Sequence, residues 1–325
     1  MAYRAKHIAE YVAVRMVVGL VQVVPYRLLL SVGWLVATIT FRLGRKRLHE
    51  TERRIASVLG EDTPPKRIRQ IAWTSWRNTI FNAFEALRIP RTSPDWLKKH
   101  FDGGDMLEQM IPERDAGHGA IIALPHMGNW EMAGLACHVH RFPIIIIVGK
   151  QRNPLTNQYL HELRSAAAAV IIERKTDIMR PIMRHLKKGK YLAILPDVRM
   201  PYPDLSIPFL GGEANMGSGM ALFARMTNLP IYPCCCVRDG WTRHRIAETY
   251  PVVRPDKTLD KGEDIKRMTA AVIAHFDEAI RKYPEQWFWH NKRWVLDPVE
   301  QNSNSSGSAA KERKEHKEGQ TDDQS

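Results

Sequence analysis

The sequence predicts an α/β protein with a mostly parallel central sheet covered by helices on both faces. Two observations lead there. Short apolar, β-branched runs at residues 119–124, 144–148, 168–172 and 191–195 have the length and character of buried strands. Helix-length segments separate them, and that alternation is the pattern of a parallel sheet with both faces covered. A third fact permits it: the 325 residues are 44% hydrophobic, enough for a sizeable core in one large domain or two smaller ones.

Taken in order, residues 16–26 and 28–41 carry no charge and are split by Arg27 just after Pro25. A cleaved signal peptide fits poorly, since no small-residue cleavage site follows. The stretch is long enough to span a bilayer, which needs about 20 apolar residues, but Pro25 and Arg27 interrupt it. Two short helices dipping into one leaflet fit better, with Arg27 snorkelling at the bend. Arg42, Arg45, Lys46 and Arg47 follow and read as contacts to anionic headgroups on the cytoplasmic side. Residues 1–47 are therefore expected to be a membrane anchor, 48–298 the main domain, and 299–325 a disordered charged tail.

Residues 67–89 read as a long amphipathic helix with an aromatic stripe, ended by Pro90. Asn78 on it suits capping or packing, and Glu85 suits either packing or function. Residues 93–119 read as a polar connection holding one short helix near Asp95. Beyond the four strands, 231–237 and 245–252 read as further strands, and 220–227 and 261–283 as helices. The apolar turn Pro208-Phe209-Leu210 suits either core or the lining of an apolar groove.

One short stretch concentrates the chemistry. His126-Met-Gly-Asn-Trp-Glu131 follows the first strand and precedes a helix, the edge where open α/β sheets bind ligands. Gly128 and Asn129 form the turn, with Asn129 as helix N-cap. On one continuous helix His126 and Glu131 would diverge by about 140°, but across a strand–turn–helix junction they can converge. A free imidazole titrates near ~6.5, so it can take a hydroxyl proton at neutral pH. Glu131 is expected to hold its other ring nitrogen, as the acid of a serine-protease triad does. Backbone N–H groups near Gly128 and Asn129 are expected to face a developing oxyanion. The same residues also suit a histidine that closes a strand and a glutamate favoured by the helix dipole, and spacing alone does not separate the two.

His-x-x-x-x-Glu resembles the HxxxxD/E motif of the glycerolipid acyltransferase superfamily. The Gly-Asn-Trp-Glu form resembles the bacterial lipid A biosynthesis (lauroyl/myristoyl) acyltransferases, a branch that includes phosphatidylinositol mannoside acyltransferases. Further blocks follow in that family's order over roughly residues 5–297. They are Arg77-Asn78, Arg152-Asn153-Pro154, Pro196-Asp197 with Val198 where glutamine is usual, Pro208-Phe209-Leu210-Gly211, and a C-terminal signature from Pro284 to Trp294. The resemblance implies a glycerol-3-phosphate acyltransferase-like fold and a membrane-associated acyltransferase. His126 is then the general base, oriented by Glu131. Gly128, Asn129, Arg152, Arg164, Asp197 and Arg199 are placed with the substrate, the arginines matching phosphate oxygens.

The implied co-substrate is a thioester of acyl carrier protein or coenzyme A, with no other cofactor. The implied acceptor is a (glyco)lipid hydroxyl: a lipid A precursor, a mannosylated phosphatidylinositol or a lysophospholipid. The formal charge of +13 suits an anionic partner, and anionic membrane lipids are expected rather than nucleic acid. The expected location is the cytoplasmic face of the bacterial inner membrane, peripheral or monotopic. A non-catalytic lipid-binding protein is the alternative of a different class. Cys137 and Cys234-Cys235-Cys236 show no metal-ligand spacing, so no metal is expected. Adjacent thiols in an apolar run suit a reducing compartment.

Overall fold

The computed structural model describes residues 3–167, 170–174 and 178–299. All but residue 299 of the expected tail lies outside them, as do residues 168–169 of the expected third strand. The chain opens with four helices, α1 (Ala5–Val23), α2 (Tyr26–Leu43), α3 (Arg45–Leu59) and α4 (Pro65–Arg88). Then come α5 (Pro94–His100), β1 (Phe101–Asp102), α6 (Gly104–Asp115), β2 (Ala120–Ala123), α7 (Trp130–Val139) and β3 (Ile144–Val148). Next are α8 (Pro154–Arg164), β4 (Val170–Glu173), α9 (Met179–Leu186), β5 (Tyr191–Ile194), β6 (Leu205–Phe209) and β7 (Gly212–Met216). The last elements are α10 (Gly219–Thr227), β8 (Ile231–Asp239), β9 (Arg243–Thr249) and α11 (Lys261–Lys282).

The main sheet runs β1-β9-β8-β2-β5-β3-β4 and is parallel except for the β8–β9 hairpin. β2 sits near its middle and is buried at every residue, because helices cover both faces and leave no side of the strand for water. One core lies on the α10–α11 face and gathers Phe276, Ile273 and Trp289. The other lies under α6 and α7 and gathers Met110, Met132 and Phe142.

The polar connection expected over residues 93–119 is instead two helices and an edge strand. Ser93 caps α5 by accepting from the N–H of Trp96, and Gly104 at φ +51° bends the chain into α6. The apolar turn around Phe209 is the tip of a separate β6–β7 hairpin. Its reversal uses Leu210 at φ +54° and Gly211 at φ +85°, and Asp277 accepts the Leu210 N–H at 2.7 Å. At the N-terminus two helices break at Pro25 as expected, but they are longer than expected: α1 starts at Ala5, well before the apolar run at residue 16, and α2 extends to Leu43. α2 packs along α4, with Gly33 against Phe81 and Phe84, and α1 lies across α4 and α8.

Candidate active site

β2 and β5 are adjacent parallel strands whose register pairs Ala123 with Ile194. His126 and Asp197 each lie three residues past that pair, so the two chain ends emerge side by side at the C-terminal edge of the sheet. The side chains meet there. His126 Nδ1 lies 2.7 Å from Asp197 Oδ1, and the His126 backbone N–H donates to Asp197 Oδ2 at 2.7 Å. Asp197 is 1% exposed and His126 27% exposed, so the carboxylate is sealed beneath an imidazole that water still reaches. Among the described residues Nε2 makes no hydrogen bond.

The carboxylate on the ring is therefore Asp197, not the expected Glu131. Glu131 begins α7 on the far side of the turn and faces Arg164, which stabilises its anion. Burial outweighs that and raises the Glu131 pKa. For His126, burial disfavours the imidazolium, but the charge and hydrogen bond of Asp197 prevail and raise its pKa. Burial likewise works against the Asp197 anion. His126 and three donors (the imidazole, the His126 backbone N–H and the Trp287 indole) overcome it, and the pKa falls.

The turn itself is tightly held. Gly128 has φ +59°, and a Cβ there would lie 2.3 Å from the Cys236 carbonyl oxygen, so only glycine fits. The Gly128 N–H donates to the Gln286 carbonyl at 3.1 Å, and the Phe288 N–H to the His126 carbonyl at 3.0 Å. The expected role of the Gly128 amide toward an oxyanion fails for that reason, since it is already engaged. The Asn129 side chain caps α7 by accepting the N–H groups of Glu131 and Met132. Among the described residues the Trp130 N–H has no partner.

Beneath the turn lies a buried polar cluster that the sequence reading did not assign. α4 presents Ser75, Asn78, Asn82 and Glu85 on its buried side, at spacings of one helix face. Ser75 donates to the Trp287 carbonyl at 2.5 Å, Asn82 to the Gly128 carbonyl, and Glu85 accepts from Asn129 Nδ2 at 2.6 Å. Glu85 also pairs with Arg238 of β8 through its Nη1 and Nη2, and both side chains are fully buried. Burial would raise the Glu85 pKa, but Arg238 and His244 hold it well below the usual carboxylate range. The spacing 75-78-82-85 was the available signal: a polar stripe on a helix face otherwise read as core.

His126 lines a cavity of about 280 Å³ between α6, α7 and the sheet. Trp130, Glu131, Gln151 and Arg164 line it with His126, and the rest of the lining is apolar, including Ile122, Ile144 and Cys234. Of the residues expected to meet substrate, Arg164 reaches this cavity. Arg152 is exposed and does not line it. Arg199 is also elsewhere, its Nη1 donating to the Pro298 carbonyl at 2.8 Å. Cys137, Cys234, Cys235 and Cys236 are buried free thiols.

A histidine–carboxylate pair at a sheet edge, opening on an apolar cavity, is the equipment for activating a hydroxyl beside a long-chain group. Residues 2–295 match the bacterial lipid A biosynthesis acyltransferases. The chain belongs to that family. It is an acyltransferase, and its relatives bear this out. It is 24% identical over 259 residues to a phosphatidylinositol mannoside acyltransferase of Mycolicibacterium smegmatis, a match spanning 76% of this chain and 80% of that one. It is 21% identical over 193 residues to a lipid A biosynthesis acyltransferase of Haemophilus influenzae, across 59% of this chain and 58% of that one. The acyltransferase is also similar to the solved 1-acyl-sn-glycerophosphate (LPA) acyltransferase PlsC from Thermotoga maritima, at 16% identity and TM-score 0.39 over 82% of this chain and 97% of that one.

Proposed function

We propose that this acyltransferase moves a fatty acyl group from a thioester, carried by acyl carrier protein or coenzyme A, to a hydroxyl of a glycolipid at a membrane surface. The observation that carries the reading is the His126–Asp197 pair with its free Nε2 on the wall of an apolar cavity. The acyl chain occupies the cavity. The acceptor hydroxyl gives its proton to Nε2 as its oxygen attacks the thioester carbonyl. Asp197 holds the Nδ1–H tautomer and steadies the imidazolium. The tetrahedral intermediate then expels the thiolate, which takes the proton back from Nε2, leaving an ester and a free thiol. The α7 N-terminus, with its free Trp130 N–H, and Arg164 are the nearby positive groups for the oxyanion. The reading needs no cofactor beyond the donor.

The acceptor class follows from the relatives, one named for a mannosylated phosphoinositide and one for lipid A. A glycolipid precursor of either kind presents hydroxyls and phosphates at the headgroup level. The exposed faces of α1 and α2 support a membrane-facing side. Ile8, Val12, Met16, Leu20 and Val23 form one exposed stripe, and Leu28, Val32, Leu35, Ile39 and Leu43 another, with Met16 at 65% and Leu43 at 80% exposure. α2 is long and apolar enough to cross a bilayer, but its other face rests on α4, which favours lying in the interface. Arg42, Arg45, Lys46 and Arg47 are all exposed beside it, positioned for anionic lipid on the cytoplasmic face.

The test is transfer from acyl carrier protein and coenzyme A thioesters to glycolipid and lysophospholipid acceptors, read by mass spectrometry, with wild type and His126→Ala. Loss of at least about 10²-fold on substitution is expected. Undiminished product from His126→Ala overturns the assignment.

A further inference from the structure

The apolar cavity ends against a wall one side chain thick. A second cleft of about 620 Å³ opens at the β1–β9 edge and is lined by Lys98, Lys99, His100, Arg114 and His140. Phe101 and Leu107 line both spaces. We infer that Phe101 and Leu107 are the end stop that fixes the longest acyl chain this enzyme accepts. The inference rests on the acyl-transfer reading above.

Position supports it. β8 and β9 lie between β2, which leads to His126, and β1, which begins with Phe101. Three strand spacings of about 4.8 Å put the wall roughly 14 Å across the sheet from the reacting strand. Chemistry supports it as well. On the cavity side the neighbours are Met106, Cys234 and Ile246, which offer an alkyl chain nothing but apolar contact. On the other side stand charged and polar groups of both signs, Lys98, Lys99 and Arg114 with Asp102 and Glu108 among them. A terminal methyl is welcome up to the wall and loses its burial beyond it. Each methylene kept from water is worth about fourfold in affinity.

Gly103 shows how the wall is set. A Cβ on Gly103 would lie 2.2 Å from Leu107 Cδ1, and the three nearest atoms it would meet all belong to that leucine. Glycine at 103 thus leaves Leu107 free to hold its present position, and any larger residue must move it.

The test is chain-length selectivity. Acyl thioesters of stepped length are compared with wild type, Leu107→Ala, Phe101→Ala, Leu107→Trp and Gly103→Ala. Binding of the matching fatty acids is measured in the His126→Ala background by displacement of a fluorescent alkyl probe. Leu107→Ala and Phe101→Ala are expected to move the cut-off to longer chains, changing the preference between neighbours two carbons apart by about fifteenfold. Leu107→Trp is expected to shorten it, and Gly103→Ala to shift it without changing the wall's composition. Ile111→Ala, which touches only the second cleft, is expected to leave the profile alone. Leu107 is only partly buried, so its variants keep the fold. A cut-off in binding that moves with Leu107→Ala upholds the wall even where no thioester turns over, in which case the reaction falls and the wall stands. A cut-off unmoved by both alanine variants overturns the wall while the reaction stands. Failure of every chain to bind overturns both.

Discussion

The indole Nε1 of Trp287 donates to Oδ2 of Asp197 at 2.8 Å, so the acid that orients His126 is itself held by a tryptophan from the C-terminal segment. That hydrogen bond draws charge away from the oxygen facing the imidazole. Trp287→Phe keeps most of the packing and removes the donor. The variant is expected to lose about 1.5–3 kcal/mol of stability, the worth of a hydrogen bond to a charged group. Its acid limb in kcat/KM is expected to move to higher pH, because the carboxylate then acts more strongly on His126. Trp287→Tyr, which retains a donor, should fall between the two. Chemical denaturation and pH–rate profiles read both effects.

On the proposed mechanism His126 must be neutral to accept the proton. Because Asp197 raises the His126 pKa against burial, activity is expected to climb with pH through a limb above the ordinary ~6.5. Asp197→Asn removes the charge but leaves the burial, which lowers the pKa. Its limb should therefore move to lower pH, the opposite sign to Trp287→Phe. The rate should fall on the order of 10⁴-fold, since an amide can donate to Nδ1 and favour the wrong tautomer.

Glu131 offers the contrasting case. It lines the cavity and faces Arg164 rather than the ring. Glu131→Gln is expected to leave the acid limb where it is in wild type. Arg164→Ala is expected to lower kcat about as much as kcat/KM, as loss of an oxyanion contact does. Steady-state kinetics across pH separate the two carboxylates; a limb displaced by Glu131→Gln would return the orienting role to it.

Glu85→Ala leaves Arg238 buried without its partner and is expected to cost about 3–5 kcal/mol. The folded pKa of Glu85 is depressed, so its stabilisation is present above the unfolded carboxylate value of ~4.3 and is lost as pH falls through the folded one. Urea midpoints at neutral and acid pH measure both.

Val32→Glu and Leu35→Glu place charge on the exposed face of α2, where neither side chain packs inward. Stability should stay within about 0.5 kcal/mol of wild type. Co-sedimentation with anionic vesicles should drop for the double variant and should fall with salt for the wild type.

The parallel sheet was legible because its strands are runs such as Ile144–Val148, buried by helices and so free of polar interruption. His126 was legible because a strand end announces itself in sequence. The partner was not. Glu131 is near in sequence, whereas Asp197 is brought in from 71 residues away by strand pairing. The usable clue was that both residues stand equally far past the ends of two strands, and it becomes visible only once β2 and β5 are known to be neighbours. Glu85 and Asn82 were hidden for a related reason. Their partners, Arg238 and Gly128, lie on other elements, and a polar residue on a buried face looks like packing until its partner is placed. The β6–β7 hairpin was obscured because its tip is apolar and uses a non-glycine residue, Leu210, at positive φ.

Residues 284–295 follow every other described element in the chain, so the seam they make with residues 126–128 is the last to be laid down. A nascent chain can complete its sheet and still lack the backbone partners from Gln286 and Phe288 and the indole that steadies Asp197. On the proposed mechanism the site is therefore complete only once residues 284–295 have been added, long after α1 and α2 have been made. On that reading, a chain stopped before residue 284 keeps the exposed apolar faces of α1 and α2 but lacks the indole that holds Asp197.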